Sequence, residues 1–222
     1  METIRGRRGG YHHGDLRNAL VRAATELASS GGPEAVVLRA AARRVGVTPT
    51  AAYRHFSGQG DLLEVVKEYG QEQLAHSMDA AVAEHEAAAA ASVSPVDPGE
   101  AAVLRFRAVG RGYLRFAFAE PGLYRTAFCR VQMPAHPETG HPTSGGTDDF
   151  RSFQMLSTML DGLVAAGRMP AARRPGAEIF AWSAVHGLAL LVIDGPLSRL
   201  HGPALDDAVE TLLVSVSAGL ST

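Results

Sequence analysis

Cysteine occurs once in this 222-residue chain, at Cys129, so no intramolecular disulfide can staple the fold. A single thiol fits a reducing compartment, and it is more often a small buried apolar residue than a redox centre. Long apolar runs are missing too. The longest uncharged stretch, Ile179–Ile193, falls short of the roughly 20 residues that a bilayer-spanning helix needs. The arginine-rich N-terminus has no apolar stretch behind it, so no secretory signal is expected and the cytoplasm is the expected location. No strand-like alternation persists and no internal repeat is visible. Enzyme signatures are absent: there is no P-loop, no dinucleotide glycine fingerprint after a strand, no His-Glu-x-x-His and no Gly-x-Ser-x-Gly. Nine histidines invite a metal reading, but His12-His13, His136 and His141 lie in glycine- or proline-rich segments without cysteine partners. No metal, cofactor or catalytic residue is therefore expected.

What is present is enough for a packed core. Apolar residues make up 46% of the chain, and its abundant alanine favours helix. The net charge is only −2 but it is unevenly spread. Residues 1–57 hold nine arginines and four acids, a balance of +5, which leaves −7 for the remainder. A basic N-terminal segment on an acidic body suggests a polyanion-binding module. The acidic body argues against a sequence-independent DNA-organising protein, which needs a large positive surface.

The periodicity predicts an all-α chain of about nine helices. Residues 1–13 read as a flexible basic arm. A first helix starts near Asp15, with Leu16, Leu20, Ala23 and Leu27 at helical spacing, and stops at Gly31-Gly32-Pro33. A second covers Leu38–Val45 and ends at Gly46, where a left-handed backbone is wanted. Thr48 can cap a third helix over Pro49–Phe56, with Pro49 in its first turn. Two short helices split by a three-residue turn make a helix-turn-helix. A long helix over Asp61–Ala91 follows, then a break over Ser92–Gly99 and a fifth helix over Glu100–Ala119. A short helix then runs to Val131, before a proline- and glycine-rich loop over 132–147. Three helices at about 148–167, 176–193 and 203–220 complete the chain.

The stretch Leu38-Arg39-Ala40-Ala41-Ala42-Arg43-Arg44-Val45-Gly46-Val47-Thr48-Pro49-Thr50-Ala51-Ala52-Tyr53-Arg54-His55-Phe56 resembles the DNA-binding segment of the TetR repressor family. Tyr11-His12-His13-Gly14-Asp15-Leu16-Arg17 resembles the lead-in to the first helix in one large branch. Trp182-Ser183-Ala184-Val185-His186-Gly187-Leu188 resembles the Trp-His-Gly signature of that branch. The resemblance implies a DNA-binding head over 14–58 and a ligand-binding and dimerisation domain over 59–222. It implies a ligand-responsive regulator, usually a repressor, that binds a palindromic operator as a homodimer. A metal- or redox-responsive regulator of the same fold is the alternative. Arg39 would reach a base edge or a phosphate; Thr48, Pro49, Thr50 and Ala51 would face the major groove; Tyr53 and His55 would hydrogen-bond phosphates. Three positions depart from the family pattern. Val37 stands where a capping Ser or Thr is usual, Gln59 where Lys is frequent, and Ala52 where a larger aliphatic residue is usual.

The helices near 176–193 and 203–220, the latter with Leu205, Val209, Leu212, Val216 and Leu220 on one stripe, suit a four-helix interface between two chains. A pocket for a small, largely apolar effector is expected among the fourth to eighth helices. Its candidate lining is Phe106, Tyr113, Phe116, Phe118, Tyr124, Phe128, Met155, Met159, Trp182 and His186.

Overall fold

The computed structural model describes residues 13–91, 97–130 and 150–221. Residues 1–12 of the arm expected over 1–13 and the loop expected over 132–147 lie outside the described residues, as does most of the predicted break after the fourth helix; His13, expected in the arm, opens the first helix. Among the described residues there are nine α-helices and no strand: α1 (His13–Gly31), α2 (Leu38–Val45), α3 (Pro49–Ala52), α4 (Gln59–Ala90), α5 (Pro98–Ala119), α6 (Pro121–Ala127), α7 (Arg151–Ala165), α8 (Ala177–Ile193) and α9 (Pro203–Ser221).

Local chemistry sets most of the boundaries. Gly46 adopts φ 81° and ψ 27°, and the Val47 N–H closes on the Ala42 carbonyl at 2.9 Å, ending α2. The Thr48 side chain accepts from the Ala51 N–H at 3.3 Å, with Pro49 at the first helical position. Three expectations need correction. The short helix after the fifth ends at Ala127 and does not run to Val131. The third helix does not reach Phe56: beyond Ala52 the backbone tightens to three-residue spacing, with Arg54 N–H on Ala51 and His55 N–H on Ala52, and the segment finishes as a turn. The fifth helix begins at Pro98, inside the predicted break, because the Asp97 carboxylate accepts from the Glu100 N–H at 3.0 Å and makes Pro98 its first residue.

Helices α1 to α3 pack as a head through Leu20, Ala24, Leu38, Ala42, Ala52 and Phe56, all essentially buried. The head is not a separate bead, because the same apolar cluster continues through Leu62 and Val66 of α4 to Leu114 of α5 and Tyr124 of α6. A second cluster, including Val103, Leu160, Leu163, Met169, Ala181 and Leu220, fills the far end of the body. Two glycines permit backbone contacts that join these parts. A Cβ on Gly112 of α5 would sit 2.5 Å from the Ser77 carbonyl oxygen and 2.6 Å from the Met78 Cα of α4. One on Gly122 of α6 would sit 2.3 and 2.4 Å from the carbonyl oxygens of Ala28 and Ser29, at the end of α1. No described helix is long and apolar enough to cross a membrane.

Candidate functional site

The head exposes polar and basic residues on α2, on α3 and in the turn after it. On α2, Arg39 and Arg43 are exposed. On α3 and the turn after it, Thr48, Pro49, Thr50 and Tyr53 are exposed, while Ala51 and His55 are half-buried. Tyr53, 48% exposed, is a large ring left in solvent at this surface. Arg44 is exposed but pairs with Glu26 of α1 at 2.8 Å, so it braces α2 against α1. At Val37 the backbone is extended and no side-chain cap forms, as the residue type dictates. Ala52 is fully buried, and Phe56 fills the head beside it with the Arg17 guanidinium 5.1 Å from its ring centre. Gln59 is exposed at the first turn of α4, where Asp61 instead accepts from the Ser57 N–H at 2.9 Å.

In the body, a narrow cleft of about 40 Å³ lies at the seam between the two apolar clusters. Phe106, Val109, Gly110 and Tyr113 of α5 form one wall; Ala181, Trp182 and Val185 of α8 form another. Ser152, Phe153 and Leu156 of α7, Phe128 after α6, and Leu213 and Val216 of α9 complete it with Phe150 and Met78. Met78 is the wall's one residue from α4.

Behind this wall sits a closed polar cluster. Trp182 Nε1 donates to the Tyr113 hydroxyl at 3.1 Å. The hydroxyls of Tyr113 and Tyr124 are 3.1 Å apart and lie 2.8 and 2.7 Å from His186 Nδ1. Burial lowers the His186 pKa and raises those of both tyrosines, so the cluster is neutral near pH 7. With Nδ1 as acceptor, one phenol donates to it and the other donates to its neighbour's oxygen, so both phenol protons are used. Phe128 packs against His186 at 4.9 Å and Tyr124 at 5.1 Å between ring centres.

Of the residues expected at a pocket, Phe106, Tyr113, Phe128 and Trp182 line this cavity, while Tyr124 and His186 stand directly behind it. Phe116 is buried and borders a different groove, with Thr25, Tyr69 and Leu123. Met155 and Met159 border a surface groove against α4, with Val82 and Ala83. Val109, Gly110, Phe153, Leu156 and Val185 were not singled out from the sequence. Helical spacing carried part of that signal, since Phe106, Val109, Gly110 and Tyr113 follow at intervals of three, one and three.

Among the described residues no group of three His, Cys, Asp or Glu side chains could hold a metal ion. Burial pushes the Cys129 thiol up, which leaves less of the thiolate that redox sensing needs.

A third feature lies on the outside of the body. Ile179, Phe180, Leu190 and Leu191 of α8 and Val214 of α9 are 40–57% exposed. Ile179, Ser183, Gly187 and Leu190 or Leu191 follow one helical stripe, opposite the buried Ala177, Ala181, Val185 and Ala189.

Comparison with known proteins bears on both ends of the chain. Residues 20–66 match the model for bacterial regulatory proteins of the tetR family, and residues 106–216 match that for the tetracyclin repressor-like C-terminal domain. A protein of unknown function from Rhodococcus sp. RHA1 is 25% identical, with 96% of this chain and 98% of that chain covered and a TM-score of 0.68. The TetR family transcriptional regulator PfmR from Thermus thermophilus shares the fold at 16% identity, 91% and 99% coverage and a TM-score of 0.52. So does the TetR regulator SCO7222 from Streptomyces coelicolor, at 22% identity, 93% and 99% coverage and 0.51. Among curated proteins none matches. With its head and the greater part of its body both matched, the chain belongs to the tetR family of bacterial regulatory proteins and is a DNA-binding transcriptional regulator.

Proposed function

We propose that this regulator is a repressor, released from its operator when a small, largely apolar molecule enters the body cavity. The observation that carries the reading is Met78. It stands in the cavity wall on α4, the helix whose first turn abuts the head. A molecule that fills the cavity therefore pushes on an element the head is built against. Two heads of a dimer must sit about 34–36 Å apart to enter successive major grooves. A ligand-induced tilt of α4 changes that separation, and a coupling of about 1–3 kcal/mol shifts DNA affinity roughly 5- to 150-fold.

The DNA contacts in this reading are Arg39, Thr48, Pro49, Thr50, Ala51, Tyr53 and His55, on α2, α3 and the turn after it. The homodimer forms through the exposed apolar stripe of α8 and the neighbouring face of α9, because a patch of that composition is covered in a soluble regulator. The cytoplasm, where the operator is, is the place of action.

The test is titration of the protein against the DNA flanking its own gene, at two salt concentrations, with an unrelated duplex as control. Salt-sensitive, sequence-preferring binding with two chains per site is expected, with release by apolar compounds. Equal operator affinity in ligand-saturated and ligand-free protein would refute the switch.

A further inference from the structure

The cavity limits the chemistry of its occupant. Among the described residues that line it none carries a charge, and only Tyr113, Ser152 and Trp182 bring polar side-chain atoms. Those atoms already have partners inside the protein. The indole N–H of Trp182 is held by Tyr113. The Tyr113 hydroxyl is held in turn by Tyr124 and His186. Ser152 makes a long bond, its Oγ 3.4 Å from Gln71 Oε1, while Gln71 keeps a 2.7 Å bond to the Ala127 carbonyl. Ser152 is thus the one lining hydroxyl whose bond is weak enough to be exchanged for a ligand's. The rest of the wall is apolar, with the rings of Phe106, Phe128, Phe150 and Phe153 set among aliphatic side chains such as Val109, Leu156, Val185 and Leu213.

A carboxylate, sulfonate or ammonium placed here would lose its water and meet no counter-charge among the described lining residues. Taking the Tyr113 or Trp182 protons would break a buried network instead. A single acceptor, such as a ketone or ether oxygen, can be met by Ser152; a full charge cannot.

We infer that the effector is an uncharged, largely hydrocarbon molecule with at most one hydrogen-bonding group, and that anionic ligands such as fatty acids are excluded. This rests on the reading of the cavity as the effector site. It uses the polar bookkeeping of the wall rather than its size.

The experiment compares two fluorescent probes that share a ring skeleton: N-phenyl-1-naphthylamine, which is neutral, and 8-anilino-1-naphthalenesulfonate, which adds a sulfonate. Each is titrated into the full-length protein and into Leu156→Trp, which fills the cavity from α7. Ala181→Leu fills it from α8 and serves as the second variant. Thermal unfolding of each variant checks that it folds. The expected result is saturable binding of the neutral probe, abolished by the filling variants, with the sulfonate at least about a hundredfold weaker. Leu156→Arg, which sets a cation in the wall, is expected to narrow that gap. Equal or tighter binding of the sulfonate, lost on filling the cavity, would overturn the inference while leaving the effector site in place. Failure of both probes to bind, or neutral binding untouched by either filling variant, would overturn the site reading and the inference with it.

Discussion

Replacing Gly112 by Ala adds one methyl group where α5 crosses α4, and the structure fixes what that methyl meets. Its nearest neighbours are the Ser77 carbonyl oxygen at 2.5 Å, the Met78 Cα at 2.6 Å and the Met78 N at 3.0 Å. All three are backbone atoms of a long helix and cannot rotate away as a side chain would. Overpacking typically costs about 1–3 kcal/mol, and rigid neighbours push this case to the upper end. Parting the helices also strains the 2.8 Å bond from the Ser77 hydroxyl to the Gly112 carbonyl, worth about 1 kcal/mol. Against this, Ala is the better helix former by about 1 kcal/mol. The balance is a loss of roughly 2–3 kcal/mol, or a fall of about 5–10 °C in the melting midpoint for a chain of this size. Gly162 on α7 supplies the control, because nothing lies within 4 Å of a Cβ built there. The same substitution at Gly162 should stabilise by about 0.5–1 kcal/mol. Circular dichroism melts of both variants at one protein concentration make the comparison. A Gly112→Ala midpoint within a degree of the parent would show that the α4–α5 crossing yields freely and would refute the overpacking.

Arg39→Ala should weaken operator binding and reduce the slope of log affinity on log salt by about two units per dimer, one phosphate per subunit. An unchanged slope with relaxed sequence preference would move Arg39 to a base edge. Leu191→Arg places a charge on the exposed α8 stripe, so sedimentation should show monomers and operator binding should fail; an intact dimer would rule this surface out. His186 carries a depressed pKa through burial, so its neutral form is favoured by folding. Its contribution is fully present above the ordinary histidine value of about 6.5 and is lost as pH falls below it towards the folded-state value. The pH dependence of melting in His186→Gln should be flatter than in the parent over that interval, and parallel curves would refute the assignment.

The sequence was most legible where a residue acts on its own neighbours. Gly46 and Thr48 each do a local job, a left-handed stop and a side-chain cap, and both are found where the pattern put them. The cavity was less legible because α5 is buried almost all round. Phe106, Val109, Tyr113, Phe116 and Ala117 are all covered, so periodicity does not tell which side faces a cavity and which faces the head. On α7, Phe153 and Leu156 turn to the cavity while Met155 and Met159 turn to α4, four apolar residues within seven on two faces. The tie from Tyr124 to His186 crosses 62 positions and has no local mark at all. Gly112 carried no signal either, since its role is defined by a backbone distant in sequence.

The two glycine contacts lie at separate points, one on α4 in the body and one at the end of α1 in the head, and this has a mechanical consequence. Leu62, buried against the head, lies 16 residues along α4 from Met78, about 24 Å at 1.5 Å per residue. With the Gly112 crossing as a fulcrum, a rotation of only about 5° carries that end of the helix about 2 Å. Gly122 meanwhile pins the end of α1 to α6. A lever pulling at one point of a body pinned at another produces rotation rather than translation. A small tilt of α4 about that crossing would thus reach α3 as a change of angle, and under the proposed reading a helix of four residues that enters a groove askew would lose its grip.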